Sequence, residues 1–89
     1  MEEGVRYVPE LTLSALGAGC EARVVRLLTA GAMRRRLLDI GLMPGETVRC
    51  LFSARSGDPT AYWIRGAVIA LRKEDANTVV VVPHPEQTT

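Results

Sequence analysis

Leu37-Leu38-Asp39-Ile40-Gly41-Leu42-Met43-Pro44-Gly45 compresses a helix end, a stop, a tight turn and a strand start into nine residues. Gly41 follows an apolar-periodic segment, where a left-handed residue closes a helix. Pro44 and Gly45 suit the two central positions of a type II turn, because proline presets φ and glycine accepts φ > 0. Thr47 to Phe52 is β-favouring, with Val48, Cys50 and Phe52 expected on one face.

Working back from this stretch, Ala30 to Ile40 is the one substantial helix candidate. Met33, Leu37 and Ile40 recur at i, i+4 and i+7 and form a narrow apolar stripe. Thr29 is the expected N-cap. Glu21 to Leu28 reads as the first firm strand. Arg23 and Arg26 cannot both face outward from a regular strand, so a bulge or an edge position is expected there. Leu11 to Leu16 suggests a short strand followed by a turn near Ser14.

Working forward, Ala54 to Pro59 is a loop, and Gly57-Asp58-Pro59 is turn chemistry with a structural role. Thr60–Arg65 and Ala67–Arg72 form a hairpin. With Arg65-Gly66 as a two-residue turn, Ile64 pairs with Ala67 and Trp63 lies opposite Val68. Tyr62, Ile64, Ala67, Ile69 and Leu71 then share a core face. Trp63, Arg65, Val68, Ala70 and Arg72 share a solvent face. Lys73 to Asn77 fits one helical turn, and Thr78 to Pro83 is the closing strand. The run Val79 to Val82 is apolar in both phases, as expected for a strand buried on both sides or paired with a second copy.

The chain is 89 residues long, which allows one domain with one modest core. We expect an arm over 1–10, the domain over 11–83 and a tail over 84–89, with both ends flexible. At 47% hydrophobic and 24% charged, the composition argues against disorder. A net charge of +1 and only 4% aromatic residues argue against a nucleic-acid binder. The acidic start, Met1-Glu2-Glu3, lacks the pattern of a signal peptide, and no stretch approaches the roughly 20 apolar residues of a membrane helix. A cytoplasmic protein without direct membrane insertion is expected, with Cys20 and Cys50 as free thiols.

The order and spacing of Leu11-Thr12-Leu13, Gly17, Gly19, Arg36-Leu37, Gly41, Pro44, Gly45, Gly57-Asp58-Pro59, Arg65-Gly66, Ile69-Ala70-Leu71-Arg72 and Val79–Val82 resemble the ferrous iron transport protein A (FeoA) family. That resemblance implies a mainly β fold: a small SH3-like barrel of about five strands, with one short helix between the first two long strands. It also implies an accessory or regulatory protein of bacterial ferrous iron uptake, in a transition-metal context, partnered by a permease with a cytosolic GTP-binding domain. The signature positions Gly41, Pro44, Gly45, Gly66 and Leu71 set turns and core.

Chemistry-bearing residues are sparse. The chain lacks a phosphate-binding Gly-x-x-x-x-Gly-Lys-Ser/Thr loop. Its one histidine, His84, lies in the tail and is a poor general base. No Cys-x-x-Cys or His-x-x-Glu is present, so no metal site is expected at Cys20, Cys50 or His84, and no cofactor. Arg34, Arg35 and Arg36 fan around a helix and form no single patch. A non-enzymatic interaction module is therefore expected. Its partner surface centres on Trp63 and Val68, with Arg65 and Arg72 as rim charges. The principal alternative is a stand-alone module related to the C-terminal SH3-like domain of metal-dependent transcriptional repressors.

Overall fold

A computed structural model describes residues 9–84. The expected flexible arm and tail therefore fall largely outside the described residues. Pro9 and Glu10 are described, and Arg26 donates to both Glu10 carboxylate oxygens at 3.1 and 2.8 Å. That exposed pair holds the Glu10 carboxyl below its ordinary range, chiefly through the hydrogen bonds from Arg26.

The chain forms β1 (Leu11–Thr12), a 3-10 turn (Leu13–Ala15), β2 (Glu21–Leu27), α1 (Gly31–Asp39), β3 (Thr47–Ser53), β4 (Thr60–Ile64), β5 (Ala67–Leu71), α2 (Lys73–Ala76) and β6 (Val79–Pro83). The strands make one six-stranded sheet in the order β1-β6-β2-β3-β4-β5, with every neighbouring pair antiparallel. The strand beyond the expected five is the two-residue β1. The helix lies between the first two long strands, as expected.

β6 sits between β1 and β2, so both of its edges are taken within the chain. This explains the unbroken valine run: Val79, Val80 and Val81 are all buried. The two neighbours of this strand in the sheet thus both come from the chain itself. In β2 the pairing with β6 shifts between Val24 and Arg26. Val25 is the extra residue, and Arg23 and Arg26 both reach solvent, as their spacing required.

The helix end is a Schellman motif. Gly41 has φ 109°. Its N–H donates to the Leu38 carbonyl, and the Leu42 N–H donates to the Leu37 carbonyl, both at 3.0 Å. Leu37 and Leu42, the residues this closure brings together, are fully buried. The Glu46 N–H then closes the Met43–Glu46 turn on the Met43 carbonyl at 3.0 Å, with Gly45 at φ 97°. Gly45 N–H donates to the Val24 carbonyl, and Val24 N–H donates to the Glu46 carbonyl. The turn is thereby stitched onto β2 before β3 begins.

Thr29 does not cap α1. The helix starts at Gly31, with Ala30 as a cap that makes no side-chain hydrogen bond. Thr29 thus lies one position too early to reach the free N–H groups of the first turn. At α2 the reverse occurs, because a distant side chain supplies the cap. The Asp58 carboxylate accepts from the Lys73 N–H at 2.8 Å, which is the structural role expected of the Gly57-Asp58-Pro59 loop.

The core gathers Leu13, Val24, Leu37, Leu42, Val48, Tyr62, Ile64, Val79 and Val81, and no polar or charged residue is buried among the described residues. Tyr62 is buried with its hydroxyl donating to the Leu13 carbonyl at 3.4 Å. Burial, then the neighbouring Cys50, pushes its pKa from 10.0 up to about 12. The native state therefore holds this proton more tightly than the unfolded chain does. The resulting stability is intact below pH 10 and is lost as pH rises from 10 toward 12. Urea unfolding should lose roughly 2–3 kcal/mol across that window, and Tyr62→Phe should flatten the loss.

Gly41 yields a second prediction. A Cβ there would lie 2.6 and 2.9 Å from Cδ and Cγ of Arg65 and 3.0 Å from Cγ2 of Ile64. Gly41→Ala should cost about 2–4 kcal/mol in urea unfolding, from backbone strain plus this collision. Adding Arg65→Ala should recover part of the loss, because it removes the closest atoms.

Candidate partner-binding surface

The hairpin fixes the surface. Arg65 (φ 50°) and Gly66 (φ 86°) form the two-residue turn with positive φ at both positions that matches strand twist. Ile64 pairs with Ala67, and Trp63 pairs with Val68, the register expected from the sequence. Tyr62, Ile64 and Leu71 are buried and Ile69 is half-buried, but Ala67, expected on the same core face, is exposed at the hairpin tip. On the opposite face Trp63 is 46% and Val68 59% exposed.

β3 extends this solvent face. Its pairing with β4 places Arg49 opposite Trp63, so one outer row reads Arg49, Trp63, Val68 across three strands. The next outer row is Phe52, Ala61, Ala70. Phe52 had been expected in the core phase with Val48 and Cys50. It is instead 62% exposed, because the register shifts between Cys50 and Phe52 with Leu51 as the extra residue. The bulge turns the ring to the opposite face. Three of the five large exposed hydrophobic residues among those described, Phe52, Trp63 and Val68, thus share one sheet face. The clue available in sequence was the consecutive apolar triplet Cys50-Leu51-Phe52, which breaks strict alternation.

β3, β4 and β5 contain no acidic residue, and the charges at their margins are arginines set beside carboxylates of neighbouring segments. Arg49 pairs with Glu21 at 3.4 Å. Arg65 sits at the hairpin tip with its stem over Gly41 and its head 3.9 Å from Glu46. Arg72 lies farther along, in a cleft of about 390 Å³ with Met33, Arg36, Pro59, Ala70, Glu74 and Asp75. Ala70 joins that cleft to the outer face. Arg34 and Arg35 flank a separate shallow hollow with Gly31 and Leu38, so the three helix arginines do fan apart.

No group of three or more His, Cys, Asp or Glu side chains is placed to hold a metal among the described residues. His84 lies with its ring Nε2 3.4 Å from the Thr47 hydroxyl. No helix of the described residues is long and apolar enough to cross a membrane.

The FeoA domain model matches residues 11–83. The chain belongs to the FeoA family. It is 35% identical over 71 residues to an Fe(2+) transport protein A/Fe(2+) transporter FeoB fusion protein of Porphyromonas gingivalis. The match takes in 80% of this chain but 8% of that protein, so the chain spans a small fraction of its relative's length. Among solved structures, an iron uptake regulatory protein (FeoA) superposes with TM-score 0.78 at 30% identity, covering 85% of this chain and all of that one. The zinc complex of FeoA from Stenotrophomonas maltophilia, a prokaryotic SH3 domain protein, gives TM-score 0.69 at 36% identity over 80% of this chain and 88% of that one. A manganese-dependent transcriptional repressor shares the fold, with TM-score 0.76 at 24% identity over 91% of this chain and 45% of that one. The fold is thus SH3-like with an unclosed barrel, and the family is linked to ferrous iron transport.

If Phe52 is a surface residue, its loss should leave the fold intact. Phe52→Ser should change urea stability by no more than about 0.5 kcal/mol, against about 2–5 kcal/mol for the fully buried Leu42→Ala.

Proposed function

We propose that this FeoA-family chain is a non-enzymatic accessory protein of ferrous iron uptake. It docks on the cytoplasmic side onto the GTP-binding region of a FeoB-type permease. The observation that carries this reading is the exposed group of Phe52, Trp63 and Val68 in two neighbouring rows of three paired strands, with Arg49 in the Trp63 row and Arg65 and Arg72 at the two ends of the hairpin. Aromatic and arginine side chains are the residue types that dominate binding energy at interfaces, and a paired ladder presents them already ordered. The single polypeptide that joins an A part to a FeoB part in the Porphyromonas gingivalis relative supports the choice of partner. Such a tether raises the effective concentration of one part near the other.

Docking alone shifts no equilibrium. Regulation requires tighter binding to one nucleotide state of the permease than to another. On this reading the nucleotide belongs to the partner, in keeping with a sequence that carries no Gly-x-x-x-x-Gly-Lys-Ser/Thr loop.

The test is an NMR titration of the isotope-labelled chain with the permease's cytosolic GTPase domain from the same organism. It is run without nucleotide, with GDP and with a non-hydrolysable GTP analogue. Shifts should cluster at Phe52, Trp63 and Val68 and grow stronger in one nucleotide state. Trp63→Ala should weaken binding at least about tenfold, some 1.4 kcal/mol, while Arg35→Ala on the far side of the helix should bind as wild type does. Wild-type affinity for Trp63→Ala would refute the surface assignment.

A further inference from the structure

Cys20 and Cys50 are distant in sequence and adjacent in the fold. Gly17–Cys20 is a turn closed by the Cys20 N–H on the Gly17 carbonyl at 3.0 Å, with Gly19 at φ 85°. Gly19 N–H donates to the Cys50 carbonyl at 2.7 Å, and Cys50 N–H donates to the Cys20 carbonyl at 3.0 Å. This is the geometry of a G1 bulge, in which a left-handed glycine and its successor together oppose one residue of the neighbouring strand. Cys20 is the successor and Cys50 the residue opposite.

Directly opposed residues of an antiparallel pair project from the same face. Cys50 is accordingly buried in the core cluster and Cys20 packs, half-buried, against that cluster. Directly opposed Cα atoms of antiparallel strands lie about 4.5–5.5 Å apart, inside the range of about 4.4–6.8 Å that disulfides span, and the Cys50 N–H bond to the Cys20 carbonyl keeps this pair opposed at the bulge. Both thiols are free.

We infer that Cys20 and Cys50 form a dithiol oxidation site, converted by hydroperoxides into an intramolecular cross-strand disulfide. Cys20, the more exposed thiol, reacts first. Its thiolate attacks the peroxide, the O–O bond breaks, hydroxide leaves, and Cys20 becomes a sulfenic acid. Cys50 then gives up its proton and attacks the Cys20 sulfur. The S–O bond breaks and hydroxide leaves again. Two thiols and one hydrogen peroxide thus give one disulfide and two waters. Burial, then the neighbouring Cys20, pushes the Cys50 thiol up, which suits the second role rather than the first.

The bond would close a loop containing α1 and the Gly41–Glu46 connection. It would also pin the Gly17–Cys20 turn to β3, one residue before the bulged Leu51. Constraining that loop in the unfolded chain should make the oxidised protein the more stable form.

The pre-reduced full chain is treated with hydrogen peroxide, alkylated under denaturing conditions and mapped without reduction. The expected product is a monomer lighter by two hydrogens, with Cys20 and Cys50 peptides joined. It should show a higher urea midpoint that dithiothreitol reverses. Cys50→Ala should accumulate severalfold more dimedone-trapped sulfenic acid at Cys20 than wild type, and Cys20→Ser should leave Cys50 alkylatable and unoxidised. The inference is overturned if wild type yields chiefly intermolecular dimers, or sulfinic acid at Cys20 with Cys50 still free. The wild-type map decides the matter alone if Cys50→Ala folds poorly, and no outcome depends on the permease.

Discussion

One missing methyl group organises this domain. Gly41 has a backbone conformation that side chains rarely adopt, and the space its Cβ would fill is occupied by the Arg65 stem and Ile64. The helix must end there for the Met43–Glu46 turn to reach Val24 and for β3 to enter in register. The same point seats the tip of the β4–β5 hairpin. Helix, central strand and edge hairpin therefore meet at a single residue, and the hairpin that carries Trp63 and Val68 is positioned by it. Arg65 serves the fold through its stem while its head remains near the surface beside Glu46.

Much of this was legible because the informative residues are those with restricted or unusual backbone freedom. Gly41, Pro44, Gly45 and Gly66 each name a conformation, and a two-residue hairpin loop fixes every pair beyond it. The bulge in β2 was legible for a different reason. Arg23 and Arg26 differ in phase, and burying either charge would cost more than interrupting the ladder. Thr29 shows the ordinary limit at helix ends, where a shift of one residue removes a capping partner.

The β3 bulge left only the weaker trace of an unbroken apolar triplet. Cys50, Leu51 and Phe52 are all apolar, so either phase satisfies a hydrophobicity pattern and no charge betrays the slip. Its consequence is nonetheless large, because it transfers an aromatic ring from the expected core to the solvent face beside Trp63. The Cys20–Cys50 contact was illegible in another way. It arises from a turn in one segment meeting a strand in another, and neither segment encodes the other's register. What sequence reading missed, in both cases, is a local irregularity in pairing. These irregularities fall where the chain gathers its exposed aromatic residues and its reactive thiols.

The architecture also limits how such a domain could regulate anything. Its sheet is continuous, and among the described residues no charged side chain is buried; the buried Tyr62 hydroxyl, its pKa pushed up to about 12, keeps its proton near neutral pH. A rigid body of this kind biases a partner only through a difference in affinity between the partner's states. Moving a two-state partner from 1:99 to 99:1 needs about 10⁴-fold selectivity, near 5.5 kcal/mol. Interface hot spots contribute about 2 kcal/mol or more each. On the proposed reading, Phe52, Trp63 and Val68 would supply that difference only if all three were engaged in one state and released in the other. A partner state that lost only one anchor would be biased by a factor nearer thirty. The breadth of the face, more than any single side chain on it, then sets how decisively this chain could switch its partner.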